Sequence, residues 1–144
     1  MTLHIRSFQS DDERAVIALW QAAGLTRPWN DPGKDIARKL RVQPELFLVG
    51  ELDGELIASA MAGYDGHRGS LYYLAVAPAH QRRGHARALL VEVETRLRAL
   101  GCPKLNLQLR MDNVAARGFY ARVGYELEAR VGFSKRLEHD EPTT

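Results

Sequence analysis

The chain has 144 residues, 45% hydrophobic and 26% charged, with a formal net charge of +2. That suffices for one globular domain with a real core, spanning 1–144, and the near-neutral balance with scattered arginines argues against a nucleic-acid partner. No stretch approaches the roughly 18 apolar residues that cross a bilayer, so no membrane role is expected; the single cysteine, Cys102, excludes an intramolecular disulfide framework and fits a reducing cytoplasm.

In chain order, alternation at Leu3, Ile5 and Ser7 predicts a short first strand. Ser10, with Glu13 three residues on, has the form of a capping box opening a helix that Gly24 can end. A loop, Thr26 to Gly33, carries Pro28, Trp29, Asn30 and Asp31, and a shorter helix is predicted over 33–41. Two apolar runs, Leu46–Val49 and Leu56–Met61, flank Asp53-Gly54, a hairpin signal because both turn residues need positive φ. Leu71–Val76 reads as a further strand, in which Tyr72 and Tyr73 should face opposite ways. The clearest helix is predicted over 83–100, with Ala86, Leu89, Leu90, Val93, Leu97 and Leu100 on one side and the pairs Glu92–Arg96 and Glu94–Arg98 on the other. Gly101 ends it. Leu105, Leu107 and Leu109 then alternate with Asn106, Gln108 and Arg110 as a strand, and Asp112 or Asn113 can cap a last helix to about Arg122. Residues 124–138 should close the chain as one or two strands, leaving 139–144 as a frayed polar tail. The fold class is α/β, a mixed sheet flanked by helices.

Chemistry concentrates in Gln81-Arg82-Arg83-Gly84-His85-Ala86-Arg87, between a strand and the start of the best helix. A helix start offers unpaired amides and the positive end of the dipole. Gly84 and Ala86 let an anion approach the backbone, and Arg82, Arg83 and Arg87 add charge. A pyrophosphate fits such a place, and so does a merely solvated basic helix start. The Gly-Lys-Ser/Thr of a P-loop and the G-x-G-x-x-G of dinucleotide folds are both absent.

The run LAVAPAHQRRGHARALL resembles the acetyl-coenzyme A signature of the GNAT acetyltransferases, [QR]-x-x-G-x-[GA]. Leu74-Ala75-Val76 before it, Asn113 after the next strand, and Phe119-Tyr120 with Gly124-Tyr125 match the family in order and spacing. The resemblance runs from about residue 3 to residue 138. It implies an acyl-CoA N-acyltransferase fold and an acetyl-CoA-dependent N-acetyltransferase acting by direct attack of an amine, borne by a small molecule or a protein. It implies a bulge in the strand of Leu74, Ala75 and Val76, which splays from the next strand so that pantetheine pairs with its free edge. The amides of Arg83, Gly84, His85, Ala86 and Arg87 would hold pyrophosphate, the Val76 amide would stabilise the oxyanion, Asn113 would contact the cofactor and Tyr120 would protonate the departing thiolate. No metal is implied, and the histidines show no metal-ligand spacing.

On residues alone, Phe119-Tyr120 could equally be a core aromatic pair. Gln108 stands where relatives that acetylate protein N-termini often carry a glutamate base, and a neutral amide accepts no proton. The sequence aims none of Glu45, Glu51 or Glu55 at the site, so it names no base. The loop around Trp29 is similar to one in ribosomal-protein N-terminal acetyltransferases: Trp29 could line an acceptor pocket and Asp31 attract an ammonium, or the indole could cover the core edge. A non-catalytic acyl-CoA-binding regulatory module is the alternative reading, and an exposed last strand could pair two chains into a homodimer.

Overall fold

The computed structural model describes residues 2–140. Nine regular elements follow in order: β1 (His4–Ser7), α1 (Glu13–Ala22), α2 (Pro32–Lys39), β2 (Phe47–Leu52), β3 (Glu55–Tyr64), β4 (Gly69–Val76), α3 (His85–Ala99), β5 (Leu105–Asn106) and α4 (Val114–Arg122). Short 3-10 turns precede α1, β2 and α3. The strands form one mixed sheet in the order β1-β2-β3-β4-β5, antiparallel except for the parallel β4–β5 pair. The fold class read from the sequence is the fold observed.

Each sheet face has its own core. Ile57, Ala58, Ala60, Leu71 and Val76 pack against Leu89, Leu90, Val93 and Leu97 of α3 and Tyr120 of α4. On the other face Phe47, Val49, Met61 and Ala75 pack against Val16, Leu19 and Trp20 of α1 and Ile36 of α2. Fully burying one such aliphatic or aromatic side chain is worth about 1.5–3 kcal/mol. Asp53 and Gly54 take φ of 53° and 79°, as the hairpin signal required. Gly24, at φ 72°, ends α1.

Several expectations are corrected. The first turn before α1 is closed by Asp12, whose carboxylate accepts the Gln9 amide at 2.8 Å, not by Ser10 and Glu13. Asp12 also takes two hydrogen bonds from Arg6, at 2.7 and 2.9 Å, which explains why it outcompetes Glu13. Glu92–Arg96 forms at 3.0 Å, but Glu94 accepts the Tyr125 hydroxyl at 2.7 Å rather than pairing with Arg98. Among the described residues no strand follows Asn106: 124–138 is irregular and leaves Leu127, Val131, Phe133 and Leu137 exposed. Alternation alone does not make a strand without a partner edge, and this segment is tied down by ion pairs instead, Glu128 to Lys104 at 2.9 Å and Asp140 to Arg38 at 2.6 Å. Asp140 is thus anchored where a frayed tail was expected; residues 141–144 lie outside the described residues.

Candidate active site

The site is built around an irregularity in β4. Ser59 pairs with Ala75 and Met61 with Tyr72, so Ala60 alone opposes both Tyr73 and Leu74. Tyr73 takes φ 54°, in the left-handed region that side chains rarely enter. Such a bulge bends its strand, and what holds it here is a buried chain of contacts. The Trp20 indole N–H donates to Ser59 Oγ at 2.9 Å, and Ser59 donates to the Tyr73 carbonyl at 2.8 Å. Trp20 and Ser59 are completely buried. The Tyr73 ring stacks on Trp20 with centroids 3.7 Å apart, and its hydroxyl donates to Asp35 Oδ2 at 2.6 Å. Burial and the Asp35 carboxylate both push the Tyr73 phenol up, so it remains a donor.

The bulge also overturns the simple alternation expected of Tyr72 and Tyr73. Tyr72 pairs with Met61, which belongs to the α1–α2 core, and Tyr73 packs on Trp20 in that same core. Both tyrosines therefore lie on one face and line one cleft.

Beyond the bulge, β4 leaves its neighbour. Only Gly69–Leu105 and Ser70–Asn106 pair between β4 and β5, which opens a gap beside Leu74, Ala75 and Val76. The Ala77 amide donates to Ile57 at 2.8 Å and so points at β3. Backbone groups alternate along a strand, so the Val76 amide points the other way, into the gap. The Gln81 side chain donates to the Val76 carbonyl at 3.0 Å and ties the following loop to the strand end.

In that loop Arg82 and Gly84 take φ of 64° and 84°. Alternating handedness turns successive amides toward one concavity, an arrangement that receives anions. Gly84 is the residue just before α3, and a Cβ built on it meets nothing within 4 Å. Its space is open and its backbone is one that only glycine adopts without strain. Arg82, Arg83 and Arg87 are exposed around it, whereas His85 is buried, with its ring centroid 6.5 Å from that of His80.

A cleft of about 890 Å³ runs from this gap toward α1 and α2. Asn113 and Tyr120 line it from one side, with Leu107, Gln108, Leu109 and Arg110, while Arg27, Lys39 and Gly63 line the other end. Asn113 caps α4 by accepting the Ala116 amide at 3.1 Å, which spends its carbonyl oxygen and leaves its NH₂ to donate. Tyr120 settles the choice between core and cleft by being both. Its ring packs edge-on to Phe119 and Tyr125, at 5.1 and 5.5 Å, while the residue lines the cleft. Burial pushes its phenol up to about 12, so it is a neutral donor at any physiological pH.

Trp29 does not line the cleft. It lies under Arg110, whose guanidinium carbon is 5.9 Å from the ring centroid. The Asp31 carboxylate caps α2 through the Lys34 amide at 3.1 Å, so an N-cap explains it without any ammonium. Glu51 is held by Arg6. Cys102 is half-buried with its thiol 3.4 Å from the Lys104 carbonyl, and a Cβ on Gly118 would meet only the Arg122 guanidinium at 3.2 Å. What sequence reading missed is the Trp20–Ser59–Tyr73–Asp35 network and the basic lining at Lys39 and Arg27. The positive φ of Tyr73 leaves no sequence signal. The strand-borne Ser59 among apolar neighbours was a faint one.

The comparisons with known proteins agree with this geometry. Residues 8–125 match the model of the Acetyltransferase (GNAT) family. The chain is 51% identical over 139 residues to an acetyltransferase of Yersinia pestis, covering 96% of this chain and 99% of that one. It is similar in structure to the ribosomal-protein-S18-alanine N-acetyltransferase from Escherichia coli, with a TM-score of 0.72 and 27% identity over 85% of this chain and 77% of that one. It also shares the fold of the PaiA N-acetyltransferase from Thermoplasma acidophilum in complex with coenzyme A, with a TM-score of 0.81 and 21% identity over 92% and 94% of the two chains. The chain belongs to the GNAT acetyltransferase family, and the protein is an acetyltransferase. Among the described residues no helix is long and apolar enough to cross a membrane.

Proposed function

We propose that this acetyltransferase takes its acetyl group from acetyl-coenzyme A and passes it directly to a primary amine, with no covalent enzyme intermediate. The observation that carries the reading is the gap between β4 and β5, with an anion-receiving loop at one end and the Tyr120 side chain on its wall. The free edge of Leu74, Ala75 and Val76 is a place where an extended amide-bearing chain adds like a strand. The amides of Arg83, Gly84, His85, Ala86 and Arg87, with the exposed guanidinium of Arg82, suit a diphosphate. The Asn113 NH₂ is a donor to the same ligand.

Acetyl-coenzyme A supplies an acetyl group on a thiol that leaves once it is protonated. The Val76 amide stabilises the carbonyl oxygen as it gains charge, a contribution of about 2.7–4 kcal/mol for one such donor. Tyr120 gives its proton to the departing sulfur as the C–S bond breaks, and burial keeps the phenol protonated until it is needed. The proton shed by the nitrogen on forming the amide returns to Tyr120 through water. The amine must arrive neutral. The two carboxylates that line the cleft are both engaged: Asp35 accepts from Tyr73 and Arg38, and Asp65 accepts the His67 and Arg68 amides at 2.8 and 2.7 Å. Gln108 lines the cleft without offering a base. An amine of low pKa is therefore favoured, and an α-amino group near 8 loses its proton far more readily than a lysine side chain near 10.4.

Thiol release from acetyl-coenzyme A, measured across a panel of amines, tests the reading. Amine-dependent release supports it. Tight binding of acetyl-coenzyme A with no release from any amine would mean a non-catalytic binding module.

A further inference from the structure

The acceptor end of the cleft carries a half-buried ammonium with no ion-pair partner among the described residues, and this inference rests on the acetyltransferase reading above. Lys39 is half-buried near the end of α2, and burial lowers its ammonium pKa. No carboxylate among the described residues lies within ion-pair distance of it. Its Nζ stands over Gly63: a Cβ built there would be 3.5 Å from it and 3.4 Å from Ser70 Oγ. Gly63 is thus the missing side chain that leaves room for the ammonium and the hydroxyl to face the same small space. The Gln43 side chain, whose Oε1 would lie 3.6 Å from the same Cβ, is held by the Tyr64 backbone at 2.8 and 2.9 Å.

Three further cations, Arg27, Arg38 and Arg110, line the cleft, with the carboxylates Asp35 and Asp65. Among the described residues the Arg27 guanidinium meets only the Gly24 and Thr26 carbonyls, both at 2.8 Å. Arg110 lies over Trp29, with its nearest carboxylate, Asp112, at 3.8 Å. Arg38 is already neutralised by Asp140 and Asp35, and Asp65 is the one lining carboxylate without a cationic partner. Among the described residues Lys39 and Arg27 are therefore the lining cations without an ion pair. This cluster is separate from the loop of Arg82 to Arg87, none of which lines this cleft. Glu45 acts on the Lys39 ammonium only from beyond ion-pair distance, and a half-buried ammonium with no paired counter-ion is costly unless its ligand brings one.

We infer that the acceptor is an α-amine that carries an anionic group a few ångströms from the nitrogen, and that Lys39 with Ser70 and Arg27 receives that group. A polycationic amine is disfavoured by the same charges. A free acidic amino acid and the N-terminus of an acidic peptide offer this chemistry alike.

The test is acetyl-coenzyme A-dependent thiol release with four acceptors: glutamate, the peptide Ala-Glu-Glu, the peptide Ala-Arg-Arg and spermidine. Glutamate or Ala-Glu-Glu should exceed both cationic acceptors by at least tenfold in kcat/KM, and which of the two is better tells the free amino acid from the peptide. Lys39→Glu should reduce that preference at least tenfold through the acceptor KM, while the KM for acetyl-coenzyme A and the melting temperature stay close to wild type. Lys39→Met should give an intermediate loss, which separates charge from fold. Best turnover with spermidine or Ala-Arg-Arg, or an unchanged preference in Lys39→Glu, overturns the inference and leaves the acetyltransferase reading standing. Release with none of them overturns the inference, and the wider amine panel then decides the acetyltransferase reading separately.

Discussion

The β4–β5 gap and the cleft that opens from it are made from different materials. The gap, beside β4 and α3, is backbone: the Val76 amide, the amides after Arg82, and a glycine whose φ of 84° no side chain tolerates well. The far end of the cleft, beside α2, is side chains: Lys39, Arg27 and Ser70. Backbone groups are fixed by the fold, so the first is preorganised wherever the fold is kept, as suits a ligand common to many acetyltransferases. Side chains change by single substitutions, so the second is the region on which the proposed choice of acceptor rests. Between them stands the Tyr73 bulge, and its buried support joins the two: Ser59 holds its carbonyl, and Asp35 of α2 holds its hydroxyl.

The strongest break in this comparison removes a single oxygen at the junction. Tyr120→Phe keeps the ring contacts with Phe119 and Tyr125 but loses the donor. A fall in kcat of roughly ten- to a thousandfold is predicted, with little change in acetyl-coenzyme A affinity or melting temperature. The wild-type profile adds a sign. A phenol pushed up to about 12 is protonated below that pH and ionised above it, so no loss of kcat from Tyr120 should appear before pH approaches that value. Steady-state kinetics with an identified acceptor checks both, and a wild-type kcat in the folded Phe variant would assign the proton to another group.

Next in size is the support beneath the bulge. Ser59→Ala leaves the fully buried Trp20 indole N–H and the Tyr73 carbonyl without their partner. A loss of about 1–3 kcal/mol is predicted from urea unfolding. Acetyl-coenzyme A affinity should fall with it, because the gap depends on the bulge. A stability loss with affinity unchanged would separate the bulge from the cofactor gap.

The smallest effect lies away from both regions. Asp12→Asn should cost about 1 kcal/mol by weakening the first-turn cap and the pair with Arg6. Arg6 holds the Asp12 carboxyl below the usual carboxylate range. The stability it contributes is therefore full above the ordinary value near 3.9 and lost as pH falls through the lower folded value. The variant should show less acid sensitivity in that window and unaltered kinetics at pH 7.

Much of the backbone-built gap was legible in the sequence, and the acceptor end of the cleft was not. The Gln81–Arg87 signature, the hairpin at Asp53-Gly54 and the long α3 rest on local rules, namely turn residues, helical spacing and a glycine at a helix start. Those rules hold wherever the segment lies. The identity of the Tyr72 and Tyr73 face did not follow, because one residue in the left-handed region cancels the two-residue period on which strand reading depends. The Ser10–Glu13 cap failed for a related reason. Arg6, which reaches Asp12 from β1, decides which acidic side chain closes that turn. The charges of Lys39 and Arg27 looked like ordinary surface until folding brought α2, the loop after α1 and β3 around one space. The alternating apolar residues of 124–138 had no edge to join.

The central claim is that acetyl-coenzyme A sits in the β4–β5 gap with its diphosphate at Gly84. Calorimetric titration of acetyl-coenzyme A into wild type and Gly84→Glu tests it most directly. The glutamate adds bulk and negative charge to open space, and affinity should fall at least tenfold, about 1.4 kcal/mol, in a variant that remains folded. Equal affinity in the two folded proteins would contradict the placement of the diphosphate and, with it, the division between a gap built of backbone and a cleft built of side chains.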